Sequence, residues 1–267
     1  MTDYLQLAAA VGEIARRAGA AILDIYQTED FGVEMKADDS PLTKADKAAN
    51  EVIVAGLEAL TFQAPIVSEE GQEMSYATRS QFTRFWLVDP LDGTKEFIKR
   101  NGDFTVNIAL VENGRPVLGV VFVPVTDELF YSAPGKGAFE VTTPGGEPKT
   151  IHAASFTLQD ANLKIVASAS HLNQATKDFM DRFDRPEIVQ RGSSLKIMEL
   201  ARGNAHVYPR LAPTMEWDTA AAHAILLEAG GKMVDDGTGK EMRYNKKSLL
   251  NPHFIGYGQV REELLAC

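Results

Sequence analysis

Acidic side chains stand at the ends of three apolar stretches of this chain. The first is Trp86-Leu87-Val88-Asp89-Pro90-Leu91-Asp92-Gly93-Thr94-Lys95. An apolar strand here delivers Asp89 to its carboxyl end, the place where open α/β sheets bind ligands. Pro90 ends the hydrogen-bonded ladder and leaves the Leu91 carbonyl free to turn outward. Asp92-Gly93 makes the bend, and Thr94 takes the N-cap position before a short helix over 95–99. The turn offers two carboxylates, a carbonyl, a hydroxyl and the N–H groups of a helix start. Carboxylates and carbonyls suit a hard cation such as Mg²⁺, and the N–H groups suit a phosphate. Taken alone, the same residues also read as an ordinary Asp-Gly turn with a threonine cap.

Two further stretches favour the chemical reading. Val67-Ser68-Glu69-Glu70-Gly71 again places acids at the end of an apolar strand, and Glu216-Trp217-Asp218 places an acid just before a small-residue helix over 219–229. Carboxylates that converge repel one another unless cations sit between them. Oxygen-only donors without paired histidines or cysteines point to Mg²⁺ rather than Zn²⁺. A P-loop, a zincin helix, a paired-cysteine zinc site and a nucleophile-elbow serine are all absent; Gly237-Thr238-Gly239-Lys240 has the wrong spacing for a P-loop and reads as a hairpin turn.

The elements that must position these acids follow from periodicity. Residues 3–26 carry apolar positions at helical spacing, with Glu13, Arg16 and Arg17 off that face. A second helix is expected over 43–60. Strands are expected over 64–68, 85–88, 104–111 and 117–125, the last two joined by a turn at 112–115. Beyond the turn-rich stretch 142–148, a strand (163–168) and helices (173–183, 192–201 and 219–229) alternate in an α/β manner. The chain of 267 residues is therefore divided into an N-terminal α+β domain, 1–147, with most of the acids, and a C-terminal α/β domain, 148–267. The net charge of −10 lies entirely in the first part: residues 1–150 hold 23 acids and 13 bases, and residues 151–267 hold 14 of each. Such a surface argues against a nucleic-acid polymer as partner. The single cysteine, Cys267, forms no disulfide within the chain, and no uncharged stretch of about 20 apolar residues is long enough to span a bilayer. The expected setting is the cytoplasm, with peripheral membrane association and a homodimer left open.

Glu69-Glu70, Asp89-Pro90-Leu91-Asp92-Gly93-Thr94 and Trp217-Asp218-Thr219-Ala220-Ala221 together resemble, in order and spacing, the inositol monophosphatase superfamily of metal-dependent, lithium-inhibited phosphatases. Within it the chain resembles the CysQ-type 3′(2′),5′-bisphosphate nucleotidases, through Ser40-Pro41-Leu42-Thr43-Lys44-Ala45-Asp46, the run WLVDPLDGTKEFIKRNGDFTVN, Gly192-Ser193-Ser194-Leu195-Lys196 and Tyr208-Pro209-Arg210. Ala222 departs from the glycine of many relatives, a change expected to matter for helix packing. The resemblance implies a five-layer α-β-α-β-α sandwich with its site between the halves. It implies that Glu69, Asp89, the Leu91 carbonyl, Asp92 and Asp218 hold two or three Mg²⁺ ions. Asp46 and Thr94 would form a relay that positions and deprotonates the attacking water, with Glu69 also counted as catalytic. The Gly93 and Thr94 amides would hold the scissile phosphate.

Substrate contacts are implied for Glu69, Leu91, Asp92, Gly93, Thr94 and Asp218, together with His171, Ser193, Lys196 and Arg210 around a nucleotide bisphosphate. Lys196 and Arg210 suit the phosphate that is not cleaved; they also read as solvated charges, Ser193 as a helix cap and His171 as a partly buried polar residue. The expected activity is removal of the 3′-phosphate from adenosine 3′,5′-bisphosphate, with the sulfated analogue as a second substrate, in sulfur assimilation. Inositol monophosphate or sugar bisphosphate hydrolysis is the alternative within the class. A non-catalytic phosphate sensor is the alternative outside it.

Overall fold

The computed structural model describes residues 2–28, 31–35, 41–168 and 173–261. The chain opens on α1 (Tyr4–Tyr26), capped by Asp3, whose carboxylate accepts from the Leu5 and Gln6 N–H groups. A short pair, β1 (Glu34–Met35) and β2 (Pro41–Leu42), leads into α2 (Lys44–Glu58). Thr43 caps α2 and Asp46 answers it from the third helical position, a reciprocal box that fixes where the helix begins.

A seven-stranded sheet follows in simple sequence order: β3 (Ile66–Ser68), β4 (Arg84–Asp92), β5 (Thr105–Glu112), β6 (Arg115–Val123), β7 (Glu128–Ala133), β8 (Gly137–Val141) and β9 (Lys149–Ile151). Only the β3–β4 pairing is parallel. The short helix α3 (Tyr76–Arg79) lies between β3 and β4, and α4 (Thr94–Ile98) follows β4. The turn-rich stretch 142–148, expected as a divider between domains, is instead the connection between β8 and β9. The first sheet extends through Ile151, because a hairpin needs the same turn formers as a linker.

The second half begins with β10 (Ser155–Phe156), which pairs only with β16 (Gln259–Val260). Its sheet has the order β12-β11-β13-β15-β14, made of β11 (Lys164–Ser168), β12 (Glu187–Arg191), β13 (Val207–Arg210), β14 (Lys232–Asp235) and β15 (Phe254–Tyr257). Helices α5 (Gln174–Met180), α6 (Leu195–Ala201) and α7 (Glu216–Glu228) complete the fold. The expected turn at 237–240 is present, closed by the Asp235 N–H on the Lys240 carbonyl at 2.9 Å.

Strand alternation sorts the layers. On β4, Trp86 and Val88 pack with α1 and α2, while Phe85 and Leu87 pack with α6 and α7. On β5, Val106, Ile108 and Leu110 join the first group, and Ala109 and Val111 the second. A separate core of Ile165, Val207, Ile255, Phe179 and Met180 seats α5 against the second sheet. The layers are thus α1 and α2, first sheet, α6 and α7, second sheet, and α5: the expected α-β-α-β-α sandwich. Helix α7 is the shared middle layer and is apolar nearly all round, as a helix buried on all sides must be. No helix among the described residues is long and apolar enough to cross a membrane.

Helix α7 lies directly on the sheet backbone. A Cβ added at Gly119 of β6 would sit 2.1 Å from the Ala221 carbonyl oxygen and 3.0 Å from the Ala224 Cβ. Ala222 is fully buried in the same layer. Gly119→Ala should therefore push the helix off the sheet and cost about 1–3 kcal/mol. Urea denaturation reads this as a lower midpoint; an unchanged midpoint would mean the approach is not tight.

Candidate active site

Alternation along β4 decides which way its acid points. Asp89 shares the side of Phe85 and Leu87, the side covered by α7, and is buried with 2% exposure. The strand does not stop at Pro90, as the sequence suggests, but runs to Asp92. Proline has no N–H to give the ladder, so the pairing skips it. Asp89 faces Asn107 and the next pair is Asp92 with Thr105, which leaves one extra residue on β4. This bulge re-aims the strand end, and the Leu91 N–H closes it by donating to Asp89 Oδ1 at 3.0 Å.

Asp218 comes from the opposite wall. It is the third residue of α7, not a residue ahead of the helix, which starts at Glu216 because Asp218 itself caps it: its Oδ2 accepts the Met215 N–H at 2.9 Å. Burial, together with the nearby carboxylates of Glu69, Asp92 and Asp218, holds Asp89 well above the usual carboxylate range. Asp218 is raised in the same way by burial, Asp92 and Glu69. Four carboxylates, from the end of β3, from β4 and from α7, therefore converge.

Thr94 is the first residue of α4, and Gly93 is its N-cap. Gly93 takes φ +95°, with Asp103 O and Phe104 Cα 3.1 and 3.3 Å from where a Cβ would be, so only glycine makes this turn. Thr94 is withdrawn from capping because its hydroxyl lies 3.3 Å from both Asp46 Oδ1 and the Leu91 carbonyl. Asp46 divides its two oxygens. Oδ2 accepts the Thr43 N–H and hydroxyl at 2.7 and 2.6 Å, and Oδ1 faces Thr94.

The second half adds a chain of hydroxyls. Ser193 donates to Asp92 Oδ2 at 2.5 Å and lies 2.7 Å from Thr105 Oγ1, which contacts Ser194 Oγ at 2.8 Å. Ser194 donates to Asn107 Oδ1, and Asn107 Nδ2 reaches Asp92 Oδ2 at 3.4 Å. Ser193 is thus committed to an acid rather than to capping α6. It has φ +48°, so α6 starts at Leu195 and not at the expected 192. Thr105, Asn107 and Ser194 were not singled out from sequence; polar residues two apart in the apolar run TVNIALV are the signal that finds Thr105 and Asn107. His171 lies outside the described residues.

Two adjoining cavities, about 200 and 500 Å³, share Asp92, Gly93, Lys95, Glu96, Thr214 and Asp218. The smaller adds Ser193, Lys196, Tyr208 and Arg210, and the larger adds Glu69 and Thr94. Lys196 is 8% exposed, and burial lowers its ammonium to about 8. Among the described residues no three acids, histidines or cysteines close around one point as a metal cage. An ion such as Mg²⁺, which keeps several waters and takes one or two carboxylates, does not require such a cage. The oxygen-only donors and their mutual repulsion fit it.

The inositol monophosphatase family model matches residues 3–266; the chain belongs to that family. It is 45% identical to the 3′(2′),5′-bisphosphate nucleotidase CysQ of Salmonella typhimurium (strain LT2) over 247 residues, covering 91% of this chain and 96% of that one. The protein of the same name from Escherichia coli (strain K12) is 44% identical with the same coverage. Among solved structures, CysQ from Bacteroides thetaiotaomicron, described as a bacterial member of the inositol monophosphatase family, superposes with a TM-score of 0.85 at 43% identity, covering 97% of this chain and 99% of that one. An inositol monophosphatase from Thermotoga maritima gives 0.75 at 26% identity, covering 96% and 92%.

The raised carboxyls set a sign for stability. A carboxyl held above its ordinary value keeps its proton in the folded chain where the unfolded chain has lost it, so stability falls as pH rises from about 4 upward through that window. The metal-free protein should melt lower at pH 7.5 than at pH 5.5, and Asp89→Asn should shrink that difference by relieving repulsion. A variant whose melting shows the full wild-type pH dependence would remove Asp89 from the repelling group.

Proposed function

We propose that this protein is a Mg²⁺-dependent phosphatase that hydrolyses the 3′-phosphate of adenosine 3′,5′-bisphosphate to give AMP and phosphate. The sulfated analogue is its second substrate, and the activity serves sulfur assimilation. The names of the relatives at 42–45% identity support the reaction. In this reading Glu69, Asp89, the Leu91 carbonyl, Asp92 and Asp218 hold two or three Mg²⁺ ions. Bound there, the cations make water nucleophilic at neutral pH and neutralise charge on the transferring phosphoryl group and leaving oxygen. The chain's own residues do the rest. Thr94 Oγ1, its proton turned to Asp46 Oδ1, has lone pairs free to orient the attacking water, and takes a proton from it as its own passes to the Asp46 carboxylate. The Thr43 cap fixes Asp46, which keeps the relay in place. In this reading Gly93 and Thr94 hold the scissile phosphate in the larger cavity, and Glu69, which lines the same cavity, acts with them in catalysis.

One observation carries the nucleotide reading over a simple monophosphate. Lys196 is buried, and among the described residues its ammonium makes no hydrogen bond or ion pair; Arg210 is half-buried, donates Nη2 to the Pro213 carbonyl at 2.8 Å and leaves Nε buried without a partner. Both line the smaller cavity, and their charges oppose one another. A buried ammonium beside a guanidinium is stabilised by an anion placed between them. The phosphate that is not cleaved is that anion. Ser193 lines the same cavity but acts there on Asp92.

Arg210→Ala should lower kcat/KM for adenosine 3′,5′-bisphosphate roughly ten- to a hundredfold, the loss of about 1.5–3 kcal/mol from a charge-assisted hydrogen bond. Slow hydrolysis of a simple monophosphate should stay near wild type. A parallel fall on both substrates places Arg210 at the scissile phosphate or in the fold. Faster wild-type turnover of inositol monophosphate or a sugar bisphosphate than of the nucleotide would overturn the substrate assignment.

A further inference from the structure

Glu216 is the most deeply buried acid of the Glu216-Trp217-Asp218 stretch, at 0% exposure, and the reaction above has no use for it. Its oxygens are fully engaged. Oε2 accepts the Asn245 N–H at 2.6 Å, and Oε1 accepts the Lys246 N–H at 3.0 Å and the Lys246 ammonium at 2.6 Å. The loop that supplies these donors also holds the start of α7 at other points. The Glu216 N–H donates to the Leu249 carbonyl, and Asn251 Nδ2 donates to the Met215 carbonyl at 2.7 Å and to Thr219 Oγ1 at 3.0 Å.

The same loop is held from its far side by Arg79. Its guanidinium donates to Asn245 Oδ1 at 2.9 Å and to the Lys246 and Lys247 carbonyls at 3.3 Å, and Asn245 Nδ2 returns a bond to the Arg79 carbonyl. Arg79 is 4% exposed and ends α3, the helix reached by the chain that leaves Glu69. A continuous polar clamp therefore runs from the segment after Glu69, through Arg79, Asn245 and Lys246, to Glu216 and the first turn of α7.

Stability alone is a poor reason to bury these charges, since apolar residues of similar volume often serve as well or better. The clamp's position supplies another. Glu69 and Asp218 approach from different elements, the end of β3 and the first turn of α7, and their carboxylates repel; the clamp joins the two elements that carry them.

We propose that Glu216, with Lys246 and Arg79, is a positioning residue that locks the first turn of α7 to the chain leaving Glu69 and so sets the affinity of the site for Mg²⁺. The inference rests on the reading of Glu69 and Asp218 as cation ligands. Outer partners of metal ligands typically change metal affinity by about ten- to a hundredfold.

Calorimetric titration of Mg²⁺ into metal-free wild type, Glu216→Gln and Arg79→Lys tests it. The dissociation constant should rise about tenfold or more in both variants, and their turnover should recover as Mg²⁺ is raised, unlike that of Asp218→Asn. Wild-type Mg²⁺ affinity in a folded variant overturns the positioning role, whatever its melting temperature. Hydrogen exchange on the wild type needs no variant to fold. The Asn245 and Lys246 amides should exchange more slowly once Mg²⁺ is added, and unchanged exchange likewise overturns it. Failure of the wild type itself to bind Mg²⁺ would strike the ligand assignment first, and the positioning role with it.

Discussion

Four carboxylates share one cleft in this protein, and most of the surrounding structure answers to their repulsion. Two unit charges about 4 Å apart repel by about 4 kcal/mol near a protein surface. That is a large part of the roughly 5–15 kcal/mol that keeps an ordinary domain folded. A single neutral hydrogen bond, at about 1 kcal/mol, does not oppose it. Opposition has to be distributed, and it is. The bulge at Pro90 locks Asp89 to its own strand. Close packing of α7 on Gly119 fixes the height of Asp218 above the sheet. The Arg79–Lys246–Glu216 clamp stops the first turn of that helix from swinging away.

The middle helical layer is where the two halves become one site. Beta strands 4 and 5 of the first sheet and the turn before α6 meet through Asp92, Thr105, Ser193, Ser194 and Asn107. Each of these side chains is short and offers few rotamers, so little entropy is lost in ordering them. Ser193 accepts a left-handed backbone to take part. Strain of that kind costs on the order of 1–3 kcal/mol and persists where the surroundings over-determine it. Here they do: the neighbouring Gly192 N–H is held by Asp103 Oδ2 at 2.8 Å.

Much of this was legible in the sequence, for local reasons. The helices over 3–26 and 43–60 rest on local pattern, and both sit within a residue or two of the expected places. The acids of the cleft were found because acidic residues at the ends of apolar runs are costly unless they are used. What was misplaced depends on contacts distant in sequence. Thr94 looks like a cap until Asp46, 48 residues away, claims its hydroxyl. The strand before Pro90 looks finished until β5 continues to pair beyond it. Strands β7 to β9 were passed over because their hairpin turn resembles a linker, and β12 because its EIVQR lies mostly exposed on a sheet edge. Glu216 was given no role from sequence, and only the fold shows it turned toward Lys246.

The choice of donors separates the site from the rest of the molecule. Elsewhere several buried or half-buried acids are met by the protein's own cations: Glu216 by Lys246, Glu199 by Arg191, and Glu128 and Glu140 by Arg202. The donors bonded to Asp89, Asp92 and Asp218 are neutral. Asp89 takes a backbone N–H, Asp218 takes another, and Asp92 takes a serine hydroxyl and an asparagine amide. Neutral donors orient a carboxylate without cancelling its charge, whereas a lysine bonded to Asp92 would compete with any incoming cation. Lys196 lines the same cavity as Asp92 yet makes no bond to it. Its charge and that of Arg210 remain available to an anion, as the charge of the acids remains available to a cation. Lys196 and Asp92 thus line one cavity without bonding each other. In the proposed reading metal ions answer the acids, and a second phosphate answers Lys196 and Arg210.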